Sequence, residues 1–257
     1  MKSVRTAIRV FEAVAAGQPI GLSELSRRLD VPKPSVQRAL DTLYAAGWLR
    51  RDVSDPGRWF VSARFAVLAD TAPVIVAARE AARPHLRELR DATGFATGLF
   101  VLDGDRMAYV AGLDGPQSVR SVEMAFGPLP VHVSAAGRAI LSRLPVATRR
   151  EVLDRSLRRY TEASLTHPSS VLGAITRAET EGYAVVAGEY REDMTSVAAP
   201  VVDRHGMPVA AVTVFTETAR LPRGATAKVG AQTVDCARVI GDELALAAGA
   251  APEPRTG

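Results

Sequence analysis

Cysteine is almost missing from this chain: Cys236 is the only one in 257 residues. That excludes an intrachain disulfide and a cysteine-built metal cluster. Long apolar runs are missing too. None reaches the roughly 18–20 residues that span a bilayer. The opening MKSVRTAIRVFEAVAAG is basic and then apolar, as a leader would be, but Arg5, Arg9 and Glu12 break it at helical spacing. The expectation is a cytoplasmic protein with no membrane partner.

Catalytic patterns are equally scarce. His85, His132, His167 and His205 fall in no HExxH or HxH arrangement. His132 lies two residues from Ser134, without the Gly-x-Ser-x-Gly frame of a nucleophile elbow. There is no Gly-rich phosphate loop. Ala135-Ala136-Gly137-Arg138 reads as a helix start rich in small residues. Such a start suits close packing of a helix on a sheet, or presentation of backbone N–H groups to a small anion. No enzyme activity, cofactor or metal is expected.

What is present is unevenly distributed. The net charge is only +4, but residues 1–64 carry eleven Lys and Arg against six Asp and Glu. The remainder carries 21 against 22. A basic first quarter on a neutral body suggests a polyanion-binding module joined to something else.

That first quarter has a readable plan. Val4, Ile8, Phe11, Val14 and Ala15 recur at helical spacing and predict a first helix with one apolar face, ended by Gly17 and Pro19. Ser23 is placed to cap a second helix with Leu22, Leu25 and Leu29 as its buried stripe. Asp30-Val31-Pro32 is a tight connector. A third helix follows, with Pro34 in its first turn, Val36, Ala39, Leu40 and Leu43 inward, and Gly47 at its end. Trp48–Arg51 and Arg58–Val61 then flank an Asp-Pro-Gly turn, which predicts a β-hairpin. Three helices and a basic hairpin form a winged helix-turn-helix. A small helical bundle with a solvated basic face is the plainer alternative.

In a winged helix the third helix enters the major groove of double-stranded DNA. Ser35, Gln37 and Arg38 are its candidate base contacts, because Gln pairs bidentately with adenine and Arg with guanine. Arg38 suits a phosphate equally well. Lys33, Arg50, Arg51 and Arg58 are better placed for phosphates, which fix register without reading sequence.

The rest reads as α+β. Residues 65–92 predict a linker helix interrupted by Pro73 and Pro84, with Val67, Leu68, Val74, Ile75, Leu86 and Leu89 apolar. Phe95–Leu102 and Met107–Leu113 predict strands around Asp103-Gly104-Asp105. Val119–Ala125, Tyr183–Glu189, Val197–Asp203 and Val209–Thr216 are further strand candidates. Ser134–Leu144, Arg149–Ser156, Val171–Glu181 and Ala225–Ala247 are helix candidates. The domain plan is 1–64 for DNA binding, 65–92 as linker, 93–248 for effector binding and oligomerisation, and 249–257 as a disordered tail.

Three segments together resemble the IclR family of bacterial transcriptional regulators. They are LSELSRRLDVPKPSVQRALDTLYAAGWLRRD (22–52), PLPVHVSAAGRAILSRLP (128–145), and Glu181-Gly182-Tyr183 with Glu189 followed by SVAAPVVDRHGMPVAAVTV (196–214). The likeness runs from about Ser3 to Leu246. It implies a winged helix-turn-helix, a linker helix and a C-terminal domain with a GAF-like antiparallel sheet and helices. It also implies a homodimer or homotetramer that binds operator DNA and answers to a small organic effector, a carboxylate or an aromatic compound. Carried over by motif, the effector pocket would be lined by Leu129, Ala135, Ala136, Met194, Ser196, Thr213 and Phe215, with Ser121 from a looser match. Val186 stands where some carboxylate-sensing relatives have an acid, and Phe215 where they have a small hydroxyl residue. Both changes imply an effector with more apolar body than a two-carbon acid. Arg138 replaces the lysine more usual after the glycine. Repressor and activator are both open, as is a C-terminal domain that only oligomerises. An enzyme fused to a DNA-binding domain is the remaining alternative.

Overall fold

A computed structural model describes residues 2–69, 73–116, 129–154 and 157–249. The chain divides into two compact units, Met1–Val76 and Ala77–Gly257. The first holds α1 (Lys2–Gly17), β1 (Ile20–Gly21), α2 (Leu22–Leu29), α3 (Lys33–Ala45), β2 (Leu49–Arg51), β3 (Arg58–Val61) and α4 (Arg64–Ala69). Its three strands form an antiparallel sheet in the order β1-β3-β2. Leu25, Val36, Ala39, Leu40, Leu49 and Trp59 share one core. These positions follow the helical and alternating spacing of the sequence.

Two local expectations are corrected. In α1 the buried residues are Val10, Ala13 and Val14, whereas Val4 and Ile8 are 65% and 53% exposed. The helix carries apolar residues on two neighbouring rows. The i, i+3, i+4 row starting at Val10 is the one that joins Val36 and Leu40 in the core. Ser23 is not the cap of α2. Gly21 occupies that position with no side-chain cap. Ile20 and Gly21 are pinned opposite Trp59 and Arg58, so the helix begins directly out of β1.

The end of α3 behaves as the sequence predicts. Gly47 takes φ 76°, where a side chain would be strained. Its N–H donates to Tyr44 O at 2.9 Å, and that of Trp48 to Leu43 O at 2.8 Å. This paired closure satisfies two carbonyls of the last turn and aims the chain into the hairpin.

Of the two expected interruptions of the linker, Pro73 stands at a helix start and Pro84 interrupts nothing. Pro73 opens α5 (Pro73–Thr93), and Pro84 lies inside that helix without ending it. Pro84 is exposed, so the missing N–H faces the solvent side. Residues 70–72 lie outside the described residues. Further along α5, Ala78, Ala82, Leu86 and Leu89 are buried in the core of the second unit. Thr97 Oγ1 donates to Leu86 O at 2.9 Å, tying helix to sheet. The helix is thus a structural layer of that unit as well as a connector.

The second unit is built on six antiparallel strands: β4 (Ala96–Asp103), β5 (Arg106–Leu113), β6 (Leu129–Pro130), β7 (Ala184–Ala187), β8 (Met194–Val202) and β9 (Pro208–Glu217). Their order is β6-β5-β4-β9-β8-β7. Both faces are covered. Ala82, Leu86, Ala237 and Ile240, from α5 and α9 (Thr226–Gly249), pack with Leu99, Val197, Val212 and Val214. Ile140, Leu153 and Ile175, from α6 (Ala135–Leu141), α7 (Val146–Leu153) and α8 (Pro168–Glu181), pack with Phe100, Ala198 and Ala211. Alternation along β8 and β9 therefore sorts side chains between two apolar layers, which is why β9 is buried along most of its length and β8 has no exposed residue.

The predicted strands and helices of this unit are present with shifted ends. β8 starts at Met194 rather than Val197, and β6 was not anticipated, because two residues carry no periodic signal. The candidate strand Val119–Ala125 and the tail from residue 250 lie outside the described residues.

Candidate functional site

The connector before α3 fixes how that helix is presented. Asp30 adopts φ 50°, Val31 N–H donates to Ser26 O at 3.1 Å, and Ser26 Oγ donates to Val31 O at 2.7 Å. From there Lys33 and Arg38 are exposed, with Ser35 and Gln37 half-buried. Arg38 donates to Ser35 Oγ at 3.3 Å, and Gln37 Nε2 to Asp41 Oδ1 at 2.8 Å. Ser35 and Arg38 also line a groove of about 1080 Å³ shared with Val4, Ile8 and Phe11 of α1.

The hairpin arginines are held more tightly. Arg50 lies over Phe60, 4.3 Å from the ring centroid. Arg51 lies 4.8 Å from the Trp59 centroid and 3.9 Å from Asp41. Arg58 is 3.6 Å from Asp55 and donates to Pro19 O at 3.0 Å. Stacking fixes a guanidinium while leaving its edge for an anion. All seven residues expected to meet DNA thus belong to one unit, on α3 and the hairpin that follows it. One further cation was missed: Arg64 donates to Ala46 O at 2.9 Å and stacks on Trp48, anchoring the start of α4.

In the second unit, seven of the nine residues expected around an effector line a single cavity. They are Leu129, Ala135, Ala136, Val186, Met194, Ser196 and Thr213. The cavity encloses about 50 Å³, room for a few atoms. Phe215 is buried but does not line it. Its ring stands over Gly98 beside Phe100 and Tyr109, filling space that a side chain at Gly98 would occupy. Ser121 lies outside the described residues. Phe100, Val133, Ser134, Tyr190 and Arg191 also line the cavity and were not anticipated.

The polar groups there differ in what they have left to give. Ser134 caps α6, accepting from Gly137 N at 3.0 Å. Gly137 is required at that point, because a Cβ would lie 2.4 Å from Val131 O. Thr213, 3% exposed, has a buried hydroxyl with no hydrogen-bond partner among the described residues. A buried polar atom left unpaired costs about 1–3 kcal/mol, so such a group calls for a partner. Burial raises the Tyr190 phenol above its ordinary value, with the neighbouring Tyr160 adding to the rise. Arg191 donates to Asp193 at 3.2 and 3.3 Å, and this contact is the main reason the Asp193 carboxyl sits below its ordinary range.

A buried network stands behind the cavity. Arg138 makes paired contacts with Glu189, one of them 2.7 Å, and donates twice to His132 O. Thr161 and Ser164 hydroxyls donate to Glu189 O, at 3.2 and 2.6 Å. Two walls of the cavity are thereby joined: α6, bearing Ala135 and Ala136, and the turn bearing Tyr190 and Arg191. Neither Arg138 nor Glu189 is solvent-accessible enough to meet a ligand directly.

A winged helix-turn-helix followed by a linker helix and a separate α+β domain defines a DNA-binding transcriptional regulator. Residues 3–53 match the IclR helix-turn-helix domain, and residues 75–242 match the C-terminal domain of bacterial IclR transcriptional regulators. The chain belongs to the IclR family. It is 26% identical to the HTH-type transcriptional regulator BhcR of Paracoccus denitrificans, over 93% of this chain and 86% of the relative. With the acetate operon repressor of Salmonella typhimurium it shares 27% identity, over 93% and 89%. Among solved structures it is similar to an IclR homologue of Microbacterium hydrocarbonoxydans complexed with 4-hydroxybenzoate. That match has a TM-score of 0.72 and 23% identity, covering 94% of this chain and 98% of the other. No helix among the described residues is long and apolar enough to cross a membrane.

Proposed function

We propose that this regulator binds operator DNA through residues 1–64 and that a small organic metabolite, held in the cavity of the C-terminal domain, controls that binding. The observation that carries the reading is the Thr213 hydroxyl, unpartnered among the described residues and buried at a cavity between α6 and strands β8 and β9. A ligand oxygen or N–H there would supply the missing partner. Val186, Leu129, Met194 and Phe100 favour an apolar body. About 50 Å³ holds only a few atoms, so a ring-sized ligand requires the side chains over the cavity, Tyr190, Arg191 and Met194, to swing outward. On this reading the protein works in the cytoplasm as a homodimer or homotetramer, residues 65–92 link the domains, and neither domain is catalytic.

On α3, Ser35, Gln37 and Arg38 take the base edges, while Lys33, Arg50, Arg51 and Arg58 take phosphates. Control of DNA binding requires the metabolite to bind two arrangements of the protein unequally. The deciding experiment is a thermal-shift screen against short aliphatic and aromatic acids, 4-hydroxybenzoate among them. Any hit is then tested for its effect on affinity for a selected DNA site. A ligand that binds only the folded protein raises its melting temperature by mass action. Hits that raise melting temperature and change DNA affinity support the proposal. A metabolite panel without a single hit leaves the C-terminal domain an oligomerising role only.

A further inference from the structure

The lining of the cavity has one charged side chain among the described residues, Arg191. It sits on the turn between β7 and β8, and both ends of that turn are fixed. At one end Glu189 is clamped by Arg138, and its carbonyl accepts from Thr161 and Ser164. At the other, Thr218 N–H donates to Asp193 O at 2.7 Å, and Met194 N–H to Arg191 O at 3.1 Å. The backbone of Arg191 is therefore held in place, while its guanidinium is tied, among the described residues, to the exposed carboxylate of Asp193 alone. An exposed pair of this kind is weak and easily exchanged. A guanidinium facing a ligand carboxylate at the mouth of an apolar cavity forms a stronger, charge-assisted contact.

Resting on the effector reading above, we infer that Arg191 is the charge-reading residue of the pocket. It binds the anionic head of the effector by exchanging Asp193 for the ligand's carboxylate. The ligand then lies with its acid at the mouth, its apolar body against Val186, Met194 and Leu129, and a neutral polar group at Thr213. This places the acid away from the N-terminus of α6, a helix of only seven residues whose cap already uses the Gly137 N–H. Arg191 sets ligand class, and Asp193 competes with the ligand for it.

The test is calorimetry with matched pairs, butyrate against butyramide and benzoate against benzamide, on the full chain and on Arg191→Gln, Asp193→Asn and Arg204→Gln. The readout is the ratio of acid to amide affinity, which a general loss of fold does not change selectively. The native protein is expected to favour the acid roughly tenfold or more, as charged hydrogen bonds do. Arg191→Gln should bring the ratio near one. Asp193→Asn should raise it, and Arg204→Gln, on the β8–β9 turn, should leave it as it was. An Arg191→Gln protein that keeps the native ratio, or a native protein that binds acid and amide alike, overturns the inference. Failure of every acid and amide to bind any variant removes the pocket reading itself, a distinct result.

Discussion

Arg138 and Glu189, 51 residues apart, form a paired guanidinium–carboxylate contact with side chains only 2% and 9% exposed. The remaining donors and acceptors are used as well. Arg138 Nε donates to His132 O at 2.9 Å, and Glu189 Oε2 accepts from Leu165 N at 3.2 Å. A buried ion pair gains stability only when its leftover groups are satisfied in this way. The pair ties α6 to the β7–β8 turn, so its stability and the shape of the cavity are one question.

Breaking it from one side should be worse than removing it. Arg138→Met or Glu189→Leu leaves a lone buried charge and should cost about 3–5 kcal/mol each. The double variant should lose much less than both together, because no charge is left unpaired. Urea unfolding of the singles and the double measures this. Simple additivity would show the pair contributes no coupling.

Two glycines in helices should respond oppositely to the same substitution. Gly137→Ala places a Cβ 2.4 Å from the backbone oxygen of Val131, which cannot swing aside. Crowding of about 1–3 kcal/mol then exceeds the roughly 1 kcal/mol that helix propensity returns. Gly173→Ala, on α8 with nothing within 4 Å, should stabilise by about 0.5–1 kcal/mol. Thermal melting of the two variants checks the pair of signs.

These residues also mark what spacing reveals. Periodicity located the core of α2 and α3, the stop at Gly47, the helix starting beside Ser134 and most strands, because each is a local pattern. It failed for α1, where two apolar rows compete and tertiary packing chooses. It also failed for Tyr190 and Arg191, which reach the cavity through a turn. The Arg138–Glu189 pair leaves no periodic trace, but one signal was available. Residues 135–141 are apolar or small all round apart from Arg138. A helix of that kind is buried, and a buried arginine demands an acid. The residues proposed to face DNA cluster on one helix and one hairpin, elements whose local patterns the sequence shows.

Acid should weaken the C-terminal domain in two separable steps. His132 Nε2 lies 3.0 Å from Arg158 O, and a carbonyl only accepts, so that nitrogen carries the proton of the neutral ring. Burial pushes the His132 pKa below its ordinary 6.5, with the nearby Arg138 charge adding to the drop. As pH falls through 6.5 the unfolded chain takes a proton that the folded one refuses. Stability therefore declines from there down to the depressed folded value. The Glu179 carboxyl, held low by Arg149, and that of Asp193, held low by Arg191, act further down, below 4.5 and 3.8. Denaturation at stepped pH should show His132→Gln flattening the upper part of the decline only. An unchanged slope between pH 7 and 5 would place the linkage elsewhere.

On the DNA-binding unit, Arg38 and Arg58 should fail differently. Arg38 is exposed on α3 and, among the described residues, engaged only with Ser35 Oγ at 3.3 Å, which leaves its guanidinium edge open for the proposed base contact. Arg58 sits on the hairpin, already paired with Asp55 and Pro19 O, so on the proposed reading it would act as a fixed point charge. With a site selected from random duplexes by the native protein, Arg38→Ala should cost about 1–3 kcal/mol and relax preference at one base position. Arg58→Ala should weaken every duplex by the same factor. It should also reduce the slope of log affinity against log salt by about 0.9, one phosphate contact. Since Arg58 also braces Pro19, Lys33→Ala at an exposed position is the companion variant. It should lower the salt slope without lowering the melting temperature. Titrations in which Arg38→Ala keeps full sequence preference would move base reading from Arg38 to Gln37 and Ser35, the other two candidate base contacts on α3.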